Sequence, residues 1–184
     1  MDGPRSRSSS IVSVQELRES DQDALDSEAL ANLNAAWVNY KGAWMIHVVL
    51  VVVAKILLDT LPSLGQDMTW TILLQGYSII TFIMFHWTTG VPFESESSGG
   101  VWDRLTLWEQ IDHGAQYTPA KKWLTILPIM LFLCSTHYTR FDHPPMLFTL
   151  NFLTLLIFAL LPKLPLVHRR RLRFGDQTPP TTVR

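Results

Sequence analysis

Four long stretches of this chain are nearly free of charge, and that pattern limits what it can fold into more than any other feature. The first is Ala43 to Leu58 (AWMIHVVLVVVAKILL), which runs on through Asp59 to Pro62 and stops at a polar turn, Ser63-Leu-Gly-Gln-Asp67. Met68 to Trp87, Trp123 to Tyr138 and Met146 to Leu164 are the others. A soluble domain scatters charge along every amphipathic element, whereas a bilayer-spanning chain confines it to ends and loops. Charged residues make up 17% of 184 residues with a formal net charge of −1, so charge is segregated here rather than scarce. The length suits one domain, and the pattern predicts an integral membrane protein that crosses its bilayer several times.

Several runs are shorter than the roughly 20 apolar residues of a perpendicular span. Trp44, Trp70, Trp87 and Trp123 stand at their edges, where amphipathic aromatics extend a helix into the headgroup layer. Lys41, Lys121, Lys122 and the Arg169 to Arg173 cluster flank one set of ends, while the first hairpin turn has no Lys or Arg and the second short turn has only Arg140. Both termini and the central connection are therefore expected in the cytosol, which requires an even number of spans. The expected fold is an all-α membrane protein with four transmembrane helices in two hairpins, over about 43–61, 68–87, 122–138 and 146–164. Pro128 is expected to kink the third.

Residues 1–33 mix Arg, Ser, Asp and Glu with few aromatics and are expected to form a disordered cytosolic arm, with 34–168 the membrane domain and 169–184 a basic cytosolic tail. Between spans two and three, Trp102, Leu105, Leu107, Trp108 and Ile111 recur at three- and four-residue steps. That spacing predicts a short cytosolic amphipathic helix, lying in the membrane interface or on a partner.

Residues able to carry chemistry are few. Cys134 has no second thiol, and no Gly-x-Ser-x-Gly or phosphate-cradling glycine loop occurs. Lys55 and Asp59 stand one helical turn apart, an arrangement for mutual neutralisation near the end of the first span. His47, His86 and His137 sit in or beside spans, and an alternative reading is a polytopic membrane enzyme or haem protein using His47 and His86. The predicted topology puts His137 at the opposite membrane face, and no His-x-x-x-His or Glu-x-x-His pair supports a centre, so no catalytic residue, metal or cofactor is expected. No nucleic-acid partner is expected; the Arg cluster reads as a topological anchor meeting anionic headgroups. In the arm, Arg5-Ser-Arg7-Ser-Ser-Ser10-Ile11 fits the Arg-x-Arg-x-x-Ser preference of AGC-type protein kinases. Phosphate there would add about −1.5 to −2 charge per site.

Four ordered segments carry a resemblance. They are Asn34-Ala-Ala-Trp-Val-Asn39-Tyr-Lys-Gly42-Ala-Trp44, Thr89-Gly-Val-Pro-Phe93-Glu94, Trp108-Glu-Gln-Ile-Asp112 with Gln116-Tyr-Thr118, and Pro162-Lys-Leu-Pro165 with His168. Over about residues 34–174 the chain resembles the Orm/ORMDL (orosomucoid-like) family of endoplasmic reticulum membrane proteins. The resemblance implies a non-enzymatic negative regulator that binds serine palmitoyltransferase and restrains sphingolipid synthesis when ceramide is plentiful. It also implies that Asn34 is the ceramide-sensing residue, a helix cap being the plainer use of that side chain. Fungal-type members carry a Ser-rich arm whose phosphorylation relieves inhibition, which makes Ser8, Ser9 and Ser10 the expected sites.

Overall fold

All four apolar runs are helical, and each begins or ends where the local chemistry requires. The structure, a computed structural model, describes residues 12–17, 32–91, 100–139 and 145–174. Ser8, Ser9, Ser10 and Arg140 lie outside the described residues.

Helix α1 (Leu33–Ala36) starts at Asn32, whose side-chain oxygen accepts from the Ala35 backbone N–H at 3.3 Å. It runs into a 3-10 turn (Trp37–Asn39), then breaks by 84° before α2 (Ala43–Asp59). Gly42 sits in that corner at φ 85°, a left-handed conformation that a side chain would strain. The tight turn after α2 is closed by side chains. Lys55 pairs with Asp59, donates to Gln66 Oε1 at 2.9 Å and lies 5.1 Å from the Trp70 ring centroid, so the expected i,i+4 pair forms.

Helix α3 (Gln66–Phe82) continues through a π-helical turn, Ile83–Trp87. A single turn, α4 (Leu107–Gln110), occupies the central connection. Helix α5 (Pro119–Tyr138) has Thr118 accepting from Lys121 N at 3.4 Å and proline at its first position, where the missing N–H costs nothing. Helix α6 (Met146–Thr154) runs on through a π-helical stretch (Leu155–Leu160) and a 3-10 turn (Leu161–Lys163). Gln66–Trp87 and Met146–Lys163 are long and apolar enough to cross a membrane, with mean hydropathies of 1.4 and 1.8. The bent pair Leu33–Asn39 with Ala43–Asp59 makes up to three.

Helix α3 is the centre of the bundle and packs against α2, α5 and α6. Leu73 and Leu74 of α3 meet Leu131 of α5, with Val51 and Leu58 of α2 against them. Helix α2 is peripheral: of its 17 residues only His47 is buried. Three helices share a buried polar cluster in which Asn151 donates to Thr71 Oγ1 at 3.0 Å and Ser135 Oγ at 3.3 Å. Gln75 donates to Asn151 Oδ1 at 3.4 Å and accepts from Thr154 Oγ1 at 2.7 Å. In an apolar surround such bonds hold helices in register. Asn151→Leu is expected to cost about 1–2 kcal/mol and lower the unfolding midpoint in detergent; an unchanged midpoint would mean that packing alone sets the register.

Two parts of the chain differ from expectation. Val12–Glu16, within the arm expected to be disordered, forms strand β1 and pairs antiparallel with β2 (Arg170–Phe174), Val12 opposite Phe174 and Glu16 opposite Arg170. The amphipathic helix is reduced to α4, and its apolar residues turn inward: Trp102, Leu107, Trp108 and Ile111 are all buried. A bridge between Thr89 and Thr106, with Gly90 N–H donating to Leu105 O at 3.0 Å, folds this segment back onto the end of α3. Helix cannot extend past it, because Asp112 and His113 take φ of 52° and 53°.

Candidate functional site

The end of the bundle that carries α4, α1 and the Arg169 to Arg173 segment holds the most organised polar arrangement. Its base is a cluster of Ala35, Phe85, Leu107, Trp108, Ile111 and Leu124, which joins α1, the end of α3, the central connection and α5. The Phe85 ring meets Trp108 edge-on at 6.0 Å. Above this base, the adjacent residues Glu109 and Gln110 face two different segments.

Gln110 uses its whole amide. Nε2 donates to Gly90 O and Leu105 O at 3.0 Å each, and Oε1 accepts from Asn32 Nδ2 at 3.0 Å and Asn34 Nδ2 at 3.3 Å. Two donors and two lone pairs are the full capacity of that group. Asn34 is half-buried beside it, and its own oxygen makes no hydrogen bond with a described residue. The helix cap belongs to Asn32, which releases Asn34 from the plainer role. A few residues on, Asn39 Nδ2 donates to Asp112 Oδ1 at 2.6 Å, holding the end of α1 to the turn after α4.

Glu109 faces the other way. Its carboxylate accepts from Thr106 N at 2.9 Å, completing a capping box, and from Arg169 N at 2.9 Å. Arg171 grips it with two donors, Nη1 to Oε1 at 2.9 Å and Nη2 to Oε2 at 2.6 Å. Burial alone would push this carboxyl up, but the Arg171 fork and two backbone donors outweigh it and hold it at about 2. Since Arg171 belongs to β2, Glu109 fixes the strand that pairs with the arm.

Two apolar clefts meet at His47. One, of about 480 Å³, is lined by Trp37, Trp44 and Trp123; the other, of about 550 Å³, runs between α2 and α3 past Leu50, Tyr77 and Met84. His47 packs against Trp37, Tyr77 and Phe85, and His86 against Phe82 and Trp108, whereas His137 contacts Tyr138 on the last turn of α5. The expected separation of His137 from the other two therefore holds in the fold. Sequence reasoning singled out Asn34 but missed Asn32, Glu109, Gln110 and Arg171 as its supporting frame. Thr106-x-x-Glu109 is a capping-box pattern that could have revealed part of it.

A helical protein with segments long and apolar enough to cross a membrane, and a hydrogen-bonded cap over one end, defines the class. The chain belongs to the ORMDL family, whose family model matches residues 32–171. It is 43% identical to Protein ORM1 of Saccharomyces cerevisiae over 171 residues, 93% of this chain and 75% of that protein. An uncharacterised protein of Schizosaccharomyces pombe is 48% identical over 173 residues, 94% of this chain and 89% of the relative. ORM1-like protein 2 of Homo sapiens is 35% identical over 144 residues, 78% of this chain and 91% of the relative.

Proposed function

We propose that this chain is a non-enzymatic negative regulator of serine palmitoyltransferase that restrains sphingolipid synthesis in response to ceramide. Family membership supports the regulatory role, and the observation that carries the sensing site is the state of Asn34. Its cap function is taken by Asn32, its nitrogen is steadied by Gln110, and its oxygen, which accepts from none of the described residues, is available to a ligand hydroxyl or amide N–H. The apolar clefts on either side of His47 are suited to hydrocarbon tails.

Relief of inhibition acts through the arm. An AGC-type kinase modifies Ser8, Ser9 and Ser10, just ahead of β1, and the added charge weakens docking of the arm on the synthase. Alignment over 171 residues with the budding-yeast relative, against 144 with the human one, supports a fungal-type arm. The reading places the protein in the endoplasmic reticulum membrane with four spans and both termini cytosolic, α5 being the third span in chain order and α6 the fourth.

The test is a gentle-detergent pull-down of the tagged full chain with synthase activity assayed across added ceramide. Asn34→Ala is expected to abolish the ceramide response while the complex still forms, and Gln110→Ala to weaken the response severalfold. Failure to recover the synthase would remove the proposed partner. A Ser8/Ser9/Ser10 triple change to Asp is expected to relieve inhibition; full inhibition by that variant would remove the phosphorylation step.

A further inference from the structure

Two lysines converge on one buried ring beside a pocket that no part of the proposed regulation uses. Lys121 Nζ and Lys163 Nζ each lie 5.5 Å from the Trp108 ring centroid. Lys121 is 2% exposed, and its ammonium donates to Ala115 O at 2.7 Å. Lys163 donates to Leu124 O at 2.8 Å. That carbonyl is available because Pro128, four residues on in α5, has no N–H to return to it.

Both bonds end on neutral oxygens. Among the described residues neither ammonium has a carboxylate within salt-bridge distance, and the nearest negative charges, Asp112 and Glu109, act on Lys121 only from farther off. Cation–π attraction offsets only part of the cost of taking a charge out of water. Each ammonium has three N–H groups and makes one hydrogen bond among the described residues, which leaves donors for something else. Next to them is a cavity of about 330 Å³, bordered by Gln116, Lys122 and Thr125 as well as both lysines.

We propose that this cavity binds the phosphate of an anionic membrane lipid, with buried Lys121 and half-buried Lys163 as ligands and Lys122 at the rim. A lipid source follows from position. The cavity lies where α5 begins and the α6 run ends, the depth at which helix ends meet headgroups, and exposed Leu164 and Tyr117 border its mouth. Basic pockets between spanning helices are recurrent headgroup sites. The proposal needs α5 and α6 to lie in a membrane; it does not need the regulatory reading to hold.

The experiment uses the full chain in nanodiscs containing phosphatidylserine and phosphatidylcholine, with the lipid that remains bound on release identified by native mass spectrometry. The wild type is expected to retain phosphatidylserine preferentially, and each lysine removed to lower that preference about fivefold. Lys163→Met also strands the Leu124 carbonyl, so Lys122→Gln, at the exposed rim, is the variant that leaves the fold untouched. Equal retention of the two lipids by the wild type, or a preference that survives Lys122→Gln combined with Lys163→Met, would overturn the site. Inorganic phosphate is titrated separately into protein held in phosphatidylcholine alone, read by tryptophan fluorescence. A saturable response lost in the lysine variants would overturn the lipid as the source, whereas no response supports it.

Discussion

Replacing Trp108 by alanine is expected to destabilise the protein by about 4 kcal/mol, the largest effect of any single change at the cap. The indole is 4% exposed and fills the space between the end of α3, the central connection and α5. Removing it strips Phe85 and His86 of a ring partner at 6.0 and 5.4 Å, and takes from Lys121 and Lys163 the surface over which both ammonium groups lie. Neighbouring helices cannot close the gap without moving α4. Trp87, 72% exposed, makes the comparison, since its replacement by alanine is expected to change stability by less than about 0.5 kcal/mol. Unfolding midpoints of both variants in one detergent decide the matter, and similar losses would mean that Trp108 is not the keystone of the cap. A Trp108→Ala protein that remains folded is also expected to lose ceramide response, because Gln110 stands two residues away on the same turn.

The second large effect is expected from Glu109→Gln. This change keeps the volume but removes the charge that Arg171 grips, and it turns one acceptor into a donor facing a guanidinium. Breaking a buried pair on one side costs more than the pair contributes, because the remaining charge is left without a partner. Arg171 keeps 28% of its side-chain exposure, so the expected loss is about 3 kcal/mol, at the low end for buried pairs. The damage should be local to β2 and the strand it carries. With Cys134 replaced by Ser and spin labels at positions 13 and 173, which are opposite in the ladder, the wild type is expected to give one short distance and Glu109→Gln a broad distribution. An unchanged distance would mean that the two strands hold together without Glu109.

Acid provides an independent check on the same group. The folded carboxyl is held at about 2, below its ordinary 4.5, so its contribution is fully present above 4.5. It is lost as pH falls from 4.5 towards about 2, where the folded carboxylate itself takes a proton. Wild-type label distances should broaden across that window, and those of Glu109→Gln should not respond to it.

Glu109 and Gln110 also join the two halves of the proposed regulation in one helical turn. Gln110 holds the Asn34 segment and Glu109 holds the strand that pairs with the arm. Any change that rotates this turn must disturb both.

Much of this architecture is legible in the sequence, for a simple reason. Charge segregation and helical spacing are local properties, so they placed all four helices close to Ala43–Asp59, Gln66–Trp87, Pro119–Tyr138 and Met146–Lys163, and the Lys55–Asp59 pair within the first. The same periodicity misjudged the Trp102 to Ile111 segment. Apolar residues at helical steps declare that they need covering, but not what covers them, and here the end of α3 does so. Asn32 and Asn34 are both plausible caps in the sequence, and only the backbone shows which one receives the Ala35 N–H. Other decisions belonged to partners far apart in the chain: Asn34 with Gln110 across 76 residues, Arg171 with Glu109 across 62, and Lys163 with the Leu124 carbonyl across 39. Local pattern determines which segments become helices and which face is apolar. Which polar groups meet is set by how those helices pack, since a buried donor takes whichever acceptor the packing brings to it.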